Sequence, residues 1–163
     1  MTQNINLKPF RRANAYASMH ASSGVASSTV EADGTLAAGD VVGGRLYFEG
    51  AGGHAENGIL MSLSLTDYGA VGGQVDVFLY TQEPADIANN AAFAESADDA
   101  LNRLAIVSVA SADWVAIGAG IKTVHKELSV PFVGASLWGY IVARGTPTYS
   151  TDDVLALINT FHE

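Results

Sequence analysis

The chain has 163 residues, of which 48% are hydrophobic and 15% charged, with no cysteine and a formal net charge of −9. This composition excludes an intrinsically disordered chain and a disulfide scaffold, and the length is that of one domain with a sizeable core. The acidic balance argues against nucleic-acid binding, which needs a surface rich in lysine and arginine. All apolar runs are much shorter than the ~18 residues of a membrane span, so we expect no membrane segment.

The first part of the chain differs in texture from the rest. Residues 1–40 are weakly patterned and rich in alanine, serine and glycine, which predicts an extended N-terminal arm followed by loops, with one strand near Asn14–Met19. From residue 41 to residue 163 the pattern is that of β-structure. The sequence therefore predicts two parts, an arm with loops over 1–40 and a β-sandwich domain over 41–163.

Charge is also distributed unevenly along the chain. Nine acidic residues and no lysine or arginine lie between Arg45 and Arg103. The first 30 residues reverse this balance, with no acidic residue and three cationic ones, Lys8, Arg11 and Arg12. Exposed ion pairs are individually weak, so apolar anchors must supply most of the energy of any contact that the arm makes. We expect the arm to bind the acidic surface of a neighbouring molecule and to bury Phe10 and Tyr16 there.

The remaining chain alternates in the manner of half-buried strands. Over Ile59–Asp67 the pattern places Ile59, Met61, Leu63 and Leu65 on one face, with serine and threonine on the other. Similar signals, separated by glycine-rich or proline-containing turns, predict further strands over Arg45–Glu49, Gln74–Gln82, Leu104–Val109, Trp114–Ile117, Ile121–Val130 and Leu137–Arg144.

Two of these strands carry apolar side chains on both faces. In Gln74–Gln82 the valines and Leu79 share one face, while Phe78 and Tyr80 lie on the other with an aspartate. Leu137–Arg144 is apolar on both sides, with Trp138 and Tyr140 together on one of them. A strand of this kind has a second partner, which is either a neighbouring subunit or a covering arm. The four aromatic residues are therefore predicted to lie in an interface, and the alternative is that they lie in the sandwich core and in cross-strand pairs.

Residues 83–103 interrupt the strand pattern. Ser96 precedes Asp98 and Asp99, and a capping residue followed by acids in the first turn predicts a short helical turn near 96–103. The C-terminal run after Asp153 has the local signals of a helix start, and a helix stays an alternative there. The preceding strands without intervening helices favour a last strand in a β-sandwich.

No pattern predicts catalysis or cofactor binding. The four histidines are scattered, the glycine-rich stretch Gly50–Gly53 lacks the lysine of a phosphate-binding loop, and there is no Gly-x-Ser-x-Gly element. We expect no enzyme, no cofactor and no metal site, with a loop calcium site using Asp86, Asp98 or Asp99 as the remaining alternative.

Three segments resemble a family of tailed-phage capsid decoration (cement) proteins: Val75–Phe93, Leu101–Val109 and Leu137–Thr148. The elements that match are Leu79-Tyr80, Pro84, Asn90–Phe93, Asp98-Asp99, Leu104–Val109 and Trp138–Gly145. The resemblance implies an antiparallel, jelly-roll-like all-β sandwich without enzymatic activity, which clamps neighbouring capsomers. It also implies a position on the outer surface of the virion capsid, the major capsid protein as partner, and a homo-oligomer. A trimer is favoured and a dimer is the alternative.

The aromatic residues support a second reading from another class of protein. Exposed tryptophan and tyrosine side chains on one sheet face are typical of a carbohydrate-binding surface. On this reading the chain is a carbohydrate- or receptor-binding β-sandwich module of a phage head or tail fibre.

Overall fold

A computed structural model describes residues 29–51, 57–118 and 120–161. Within these ranges the chain forms a six-residue helix α1, Ala97–Asn102, and a 3-10 turn, Ser111–Asp113. The remaining regular structure consists of strands β1 Thr29–Thr35, β2 Val41–Phe48, β3 Asn57–Asp67, β4 Val75–Tyr80, β5 Arg103–Val109, β6 Val115–Gly118, β7 Ile121–Val133, β8 Leu137–Ala143 and β9 Thr148–Phe161.

The strands form two antiparallel sheets. One sheet has the order β1-β9-β3-β7-β6 and the other the order β2-β8-β4-β5. When β6 is set aside, each sheet has four strands in the order of a jelly roll, which is built from two Greek keys. β6 is an additional strand that pairs with β7 at one edge. The predicted all-β, jelly-roll-like sandwich is therefore confirmed.

The main core lies between the inner faces of the two sheets. β4 contributes Val75, Val77 and Leu79 to this core, and β8 contributes Leu137 and Ile141. These residues lie on the faces that the alternating pattern assigns to the interior. The prediction that β8 is buried on both sides is also confirmed, since its residues Trp138, Tyr140 and Val142 belong to a second cluster on the outside of the sheet.

The predicted face of β3 is wrong near its beginning. Leu60 is fully buried, whereas Met61 is 42% exposed. The pairing register shifts between Leu60 and Ser62 on both sides of the strand, against β7 and against β9. Such an irregularity resets which side chains face inward, and from there Leu63 and Leu65 enter the core as the alternation predicts.

The sandwich begins earlier than the predicted boundary at residue 41. Strand β1 lies within the stretch assigned to the arm and its loops, and it pairs with β9 from Thr29 to Thr35. The strand predicted near Asn14–Met19 and the arm itself lie outside the described residues. The two-part organisation therefore stays a prediction for residues 1–28.

The other local predictions are confirmed with adjusted ends. Ser96 caps α1, because its hydroxyl accepts a hydrogen bond of 3.0 Å from the amide of Asp99. The C-terminal run is the strand β9 and not a helix. β7 continues through Pro131 to Val133, although the sequence predicts an end at residue 130. Of the described strands, β3 alone pairs with β7 at this point, and a residue without an N–H is tolerated where a strand is paired on one side.

Candidate functional site

The outer face of the four-stranded sheet carries a second apolar cluster, which we call the outer cluster. Residues 83–95, the covering segment, fold back across this face. Phe78 is 6% exposed, and Tyr80 and Tyr140 are each 1% exposed. The members of the outer cluster are Val41, Phe78, Tyr80, Tyr140 and Val142, with Ile87, Phe93 and Trp138 packed against them.

Aromatic packing holds the centre of the outer cluster. The ring of Phe93, from the covering segment, lies with its centroid 4.5 Å from that of Phe78 and 5.9 Å from that of Tyr140. The guanidinium of Arg144 lies 5.9 Å from the Phe78 centroid, and its Nε donates to a carboxylate oxygen of Asp76 at 2.6 Å. Phe78 is therefore enclosed by an aromatic ring and by an ion-paired arginine.

Two buried phenols fasten the covering segment through hydrogen bonds. The hydroxyl of Tyr140 donates to the carbonyl of Ala85 at 2.7 Å and accepts from the amide of Ile87 at 3.1 Å. The hydroxyl of Tyr80 donates to Glu95 at 2.8 Å. Burial raises the pKa of Tyr80 well above its ordinary value, and the carboxylate of Glu95 raises it further. Burial also raises the pKa of Tyr140, so both phenols remain neutral donors.

The backbone of the covering segment also pairs with β2. The amide of Val41 donates to the carbonyl of Ala91, and the amide of Asn90 donates to the carbonyl of Val41, both at 2.9 Å. Nearby, the side chain of Asn89 accepts from the amide of Gly43 at 2.7 Å. The covering segment is thus attached along its length and is part of the fold.

This arrangement corrects the predicted interface. Among the described residues, the second partner of β8 is the chain's own covering segment, whereas the sequence predicted a neighbouring subunit or a covering arm. Phe78, Tyr80 and Tyr140 come together as predicted, but they are buried within the chain and do not form a free surface. The other predicted interface residues, Lys8, Phe10, Arg11, Arg12 and Tyr16, lie outside the described residues.

Trp138 is the accessible member of the predicted aromatic set. Its half-buried ring lies 5.4 Å from the ring of Tyr47, with an angle of 39° between the planes. Tyr47 is 41% exposed, and its hydroxyl is 3.2 Å from that of Ser136. Tyr47 is not among the predicted interface residues. Its position in β2, between the buried residues Leu46 and Phe48, is nevertheless typical of an outward-facing residue in an alternating strand.

A groove opens at the end of the sandwich where β4 and β7 finish. We call this cavity of about 380 Å³ the end groove; it is lined by Thr81, residues 101–104 and residues 131–133. Two aliphatic side chains of its lining are largely in solvent, with Leu101 85% and Val133 76% exposed. The sequence gives no signal for this groove, because its walls come from α1 and from the end of β7, which are distant from each other in the chain.

A second exposed apolar surface lies along one side of the sandwich. β6 is an edge strand with Val115 60% and Ile117 59% exposed, and β5 is the edge of the other sheet with Ile106 46% exposed. Residues 110–114 connect these two strands directly, so both edges lie on the same side. We call this surface the lateral edge. An unpaired, apolar edge strand is a template for pairing with another chain.

The ion pairs leave the surface strongly acidic. Each lysine and arginine in the described ranges has a polar partner: Lys122 donates to the carbonyl of Val71, and the others pair with acids as Arg45–Glu83, Arg103–Glu95, Lys126–Asp113 and Arg144–Asp76. The hydrogen bond from Lys126, with a second from the Ala110 amide, lowers the pKa of Asp113. Lys122 is thus the one cation of the described ranges that is left to offset the remaining carboxylates.

Within the ranges given above, no three histidine or acidic side chains are grouped so that they hold a metal ion. In the same ranges, no helix has the length and apolar character needed to cross a membrane. No family model, curated protein or solved structure matches this chain. The contacts and exposed residues of this chain are therefore the basis for assigning a role to each surface.

Proposed function

We propose that this chain is a structural protein of a tailed-phage virion that decorates and stabilises the outer surface of the capsid. In this proposal it binds the major capsid protein and further copies of itself, with a trimer favoured, and it acts through surface contacts without chemistry. The jelly roll occurs in viral capsid and lectin domains. Because a fold alone does not assign a function, the proposal depends on where the family-like segments lie in the fold.

The observation that carries the proposal is the adjacency of these segments. Val75–Tyr80 pairs with Trp138–Ala143 along the full length of β4, and the covering segment with Phe93 closes over both strands. The sequence elements that resemble decoration proteins thus build one structural unit, a sheet whose outer face is covered by its own chain. A unit of this kind makes a rigid body on which surface contacts can be held in fixed positions.

The lateral edge supplies the surface through which copies would meet. Val115 and Ile117 lie on a strand whose outer backbone groups have no strand partner in the described part of the chain. A contact at this edge would bury apolar area, and many such contacts around a shell would add avidity without a large interface in each copy.

Cryo-electron microscopy of particles assembled with and without this chain tests the proposal. We expect a nine-stranded sandwich at symmetry-related positions on the head and a lower temperature of head disruption when the chain is absent. Val115→Lys and Ile117→Lys place charges on the edge strand and should weaken attachment or self-association at least tenfold. Met61→Lys, an equally polar change at a 42% exposed position outside the lateral edge, is the matched control. A chain that is absent from the particles would contradict the proposal.

A second candidate is carbohydrate or receptor binding, which the Tyr47–Trp138 pair favours. Two neighbouring rings, one of them 41% exposed, form a small platform on which a sugar ring can stack. A glycan array followed by titration of tryptophan fluorescence tests this candidate. We expect Tyr47→Ala to abolish any glycan signal, while Tyr68→Ala, at a 47% exposed tyrosine elsewhere, leaves it unchanged.

A further inference from the structure

We infer that the N-terminal segment, residues 1–28, docks in the end groove of its own chain. The groove presents two aliphatic side chains, Leu101 and Val133, that are more exposed than any other large apolar residue of the described ranges. Exposed apolar side chains that are grouped at a concave surface are a feature of interaction sites. The inference concerns the isolated chain and holds or fails independently of the capsid proposal.

The strand register directs the chain before Thr29 toward the groove. β1 and β9 are antiparallel with Thr29 opposite Leu155, so the preceding residues leave β1 in the direction of Phe161. Phe161 is opposite Ile59, and Ile59 is opposite Pro131 at the groove. The segment therefore leaves β1 in the direction of the end where the groove opens, at a point roughly 20 Å before Phe161 along β9.

The segment is long enough to reach the groove. From β1 to β7 the sheet is three strand spacings wide, which is roughly 14 Å. The 28 residues before Thr29 span up to about 90 Å when extended. Docking within one chain is also favoured by the high effective concentration that a short tether gives, so we assign the groove to the same chain and not to a second copy.

Acidic residues beside the groove are complementary to the segment, while the one charged residue of the lining, Arg103, is paired with Glu95. Asp98 lies one helical turn from Leu101, where i and i+3 side chains are neighbours, and Asp99 accepts a hydrogen bond from the amide of Ala85 next to Asp86. None of these three aspartates forms an ion pair with a described residue. Residues 1–28 carry three cations and no acid, and the cations Arg11 and Arg12 directly follow Phe10.

The apolar residues of the segment complete the match. Phe10, Tyr16 and Met19 are large apolar residues in a segment that is otherwise rich in alanine and serine, and such a composition does not bury enough area to fold alone. Contact with Leu101 and Val133 would remove apolar surface from water on both sides. Attraction between the cations of the segment and the aspartates beside the groove would then set the orientation in which the segment lies.

The absence of cysteine from the chain permits a direct test with paired cysteines in the full-length protein. Ala13→Cys is combined with Leu101→Cys at the groove, or with Ile117→Cys as the control at an exposed aliphatic residue of β6. Both partner positions lie within reach of the segment. At low protein concentration we expect disulfide formation within the chain to be at least fivefold faster for the groove pair, after correction for the reactivity of each single thiol.

Charge variants and the products of oxidation decide the outcome. Arg11→Glu with Arg12→Glu, or Asp98→Lys alone, should reduce the preference for the groove pair several-fold, and high salt should do the same. Leu101 is 85% exposed, so its substitution leaves the fold intact, which circular dichroism verifies. Equal rates for the two pairs would overturn the inference, and so would disulfide-linked dimers as the main product, because these would assign the groove to a second copy.

Discussion

Removal of one hydroxyl group tests how firmly the covering segment is attached. Tyr140→Phe keeps the ring that packs against Phe93 and removes the only group that bonds both Ala85 and Ile87. The ring is 1% exposed and keeps its apolar contacts in the variant, so the outer cluster loses only the volume of one oxygen atom. The variant therefore isolates the contribution of two hydrogen bonds to stability.

The expected loss follows from the number and the setting of these bonds. A hydrogen bond within a protein contributes about 0.5–1.5 kcal/mol net, so the loss of two predicts a decrease of about 1–3 kcal/mol in the free energy of unfolding. Ala85 is itself exposed, and water can replace part of what its carbonyl loses. We therefore expect a value near 2 kcal/mol, measured by urea denaturation of the wild type and the variant.

Hydrogen exchange locates the effect within the molecule. In Tyr140→Phe the amide of Ile87 should exchange at least tenfold faster, while the amides of β3 keep the protection that their pairing with β7 and β9 gives. Tyr68→Phe, at a tyrosine that is 47% exposed, is the matched control and should change neither quantity. A loss below ~0.5 kcal/mol together with unchanged exchange at Ile87 would refute the view that Tyr140 fastens the covering segment.

Three further predictions address the same sheet. Gly139→Ala places a Cβ 2.7 Å from the carbonyl oxygen of Phe78, and because this atom belongs to a paired backbone we expect a loss of about 3 kcal/mol in a urea titration; a change below ~1 kcal/mol would contradict the close packing of β4 and β8. Trp138→Ala removes a half-buried ring and should cost about 2 kcal/mol in the same assay, less than the ~3–5 kcal/mol of a fully buried ring, so a loss in that higher range would be evidence of complete burial. The raised pKa values of Tyr80 and Tyr140 keep both phenols neutral in the folded chain, whereas in the unfolded chain they ionise above pH ~10. The contribution of the two phenols to the free energy of unfolding should thus be fully present below pH ~10 and decrease at higher pH. The decrease is at most ~1.4 kcal/mol for each phenol and each pH unit. Urea titrations from pH 8 to pH 11 should show this fall in the wild type and a smaller fall in the Tyr80→Phe, Tyr140→Phe double variant.

Strands with a strict two-residue period were predictable from the sequence. In β4 the period alone separates Val77 and Leu79 from Phe78 and Tyr80, and both faces are where the pattern places them. The short helix was predictable for a different reason, because a serine cap followed by two acids is a local signal that needs no tertiary contact. Both signals are contained in a few neighbouring residues.

The covering segment was not predictable in the same way. The two-sided apolar character of β8 requires a second partner, but this requirement is the same whether the partner is another subunit or the same chain. The covering segment itself contributes only Ile87 and Phe93 as large apolar contacts, without any period, and it is held by backbone bonds to β2 and by two phenols. These contacts join residues that are distant in sequence, and they give the covering segment no periodic pattern from which its position could be predicted.

The register shift in β3 shows a second limit of periodicity. Met61 continues the alternation of the sequence and yet faces solvent, because the pairing with both neighbours shifts between Leu60 and Ser62. The shift depends on three strands at once, and a pattern within one of them cannot reveal it. For the same reason the sequence could not assign Leu101 and Val133 to one groove.

The burial of the outer cluster has a consequence for where this chain can meet a partner. Phe78, Tyr80 and Tyr140 stabilise the fold, so substituting them would alter folding and binding together. The end groove and the lateral edge, in contrast, are bordered by apolar residues that are 59–85% exposed: Leu101 and Val133 at the groove, and Val115 and Ile117 at the edge. Exposed positions of this kind contribute little to stability, and their substitution therefore separates loss of interaction from loss of structure. If polar variants at both surfaces keep the wild-type stability and still associate normally, the interaction surface must lie outside the end groove and the lateral edge.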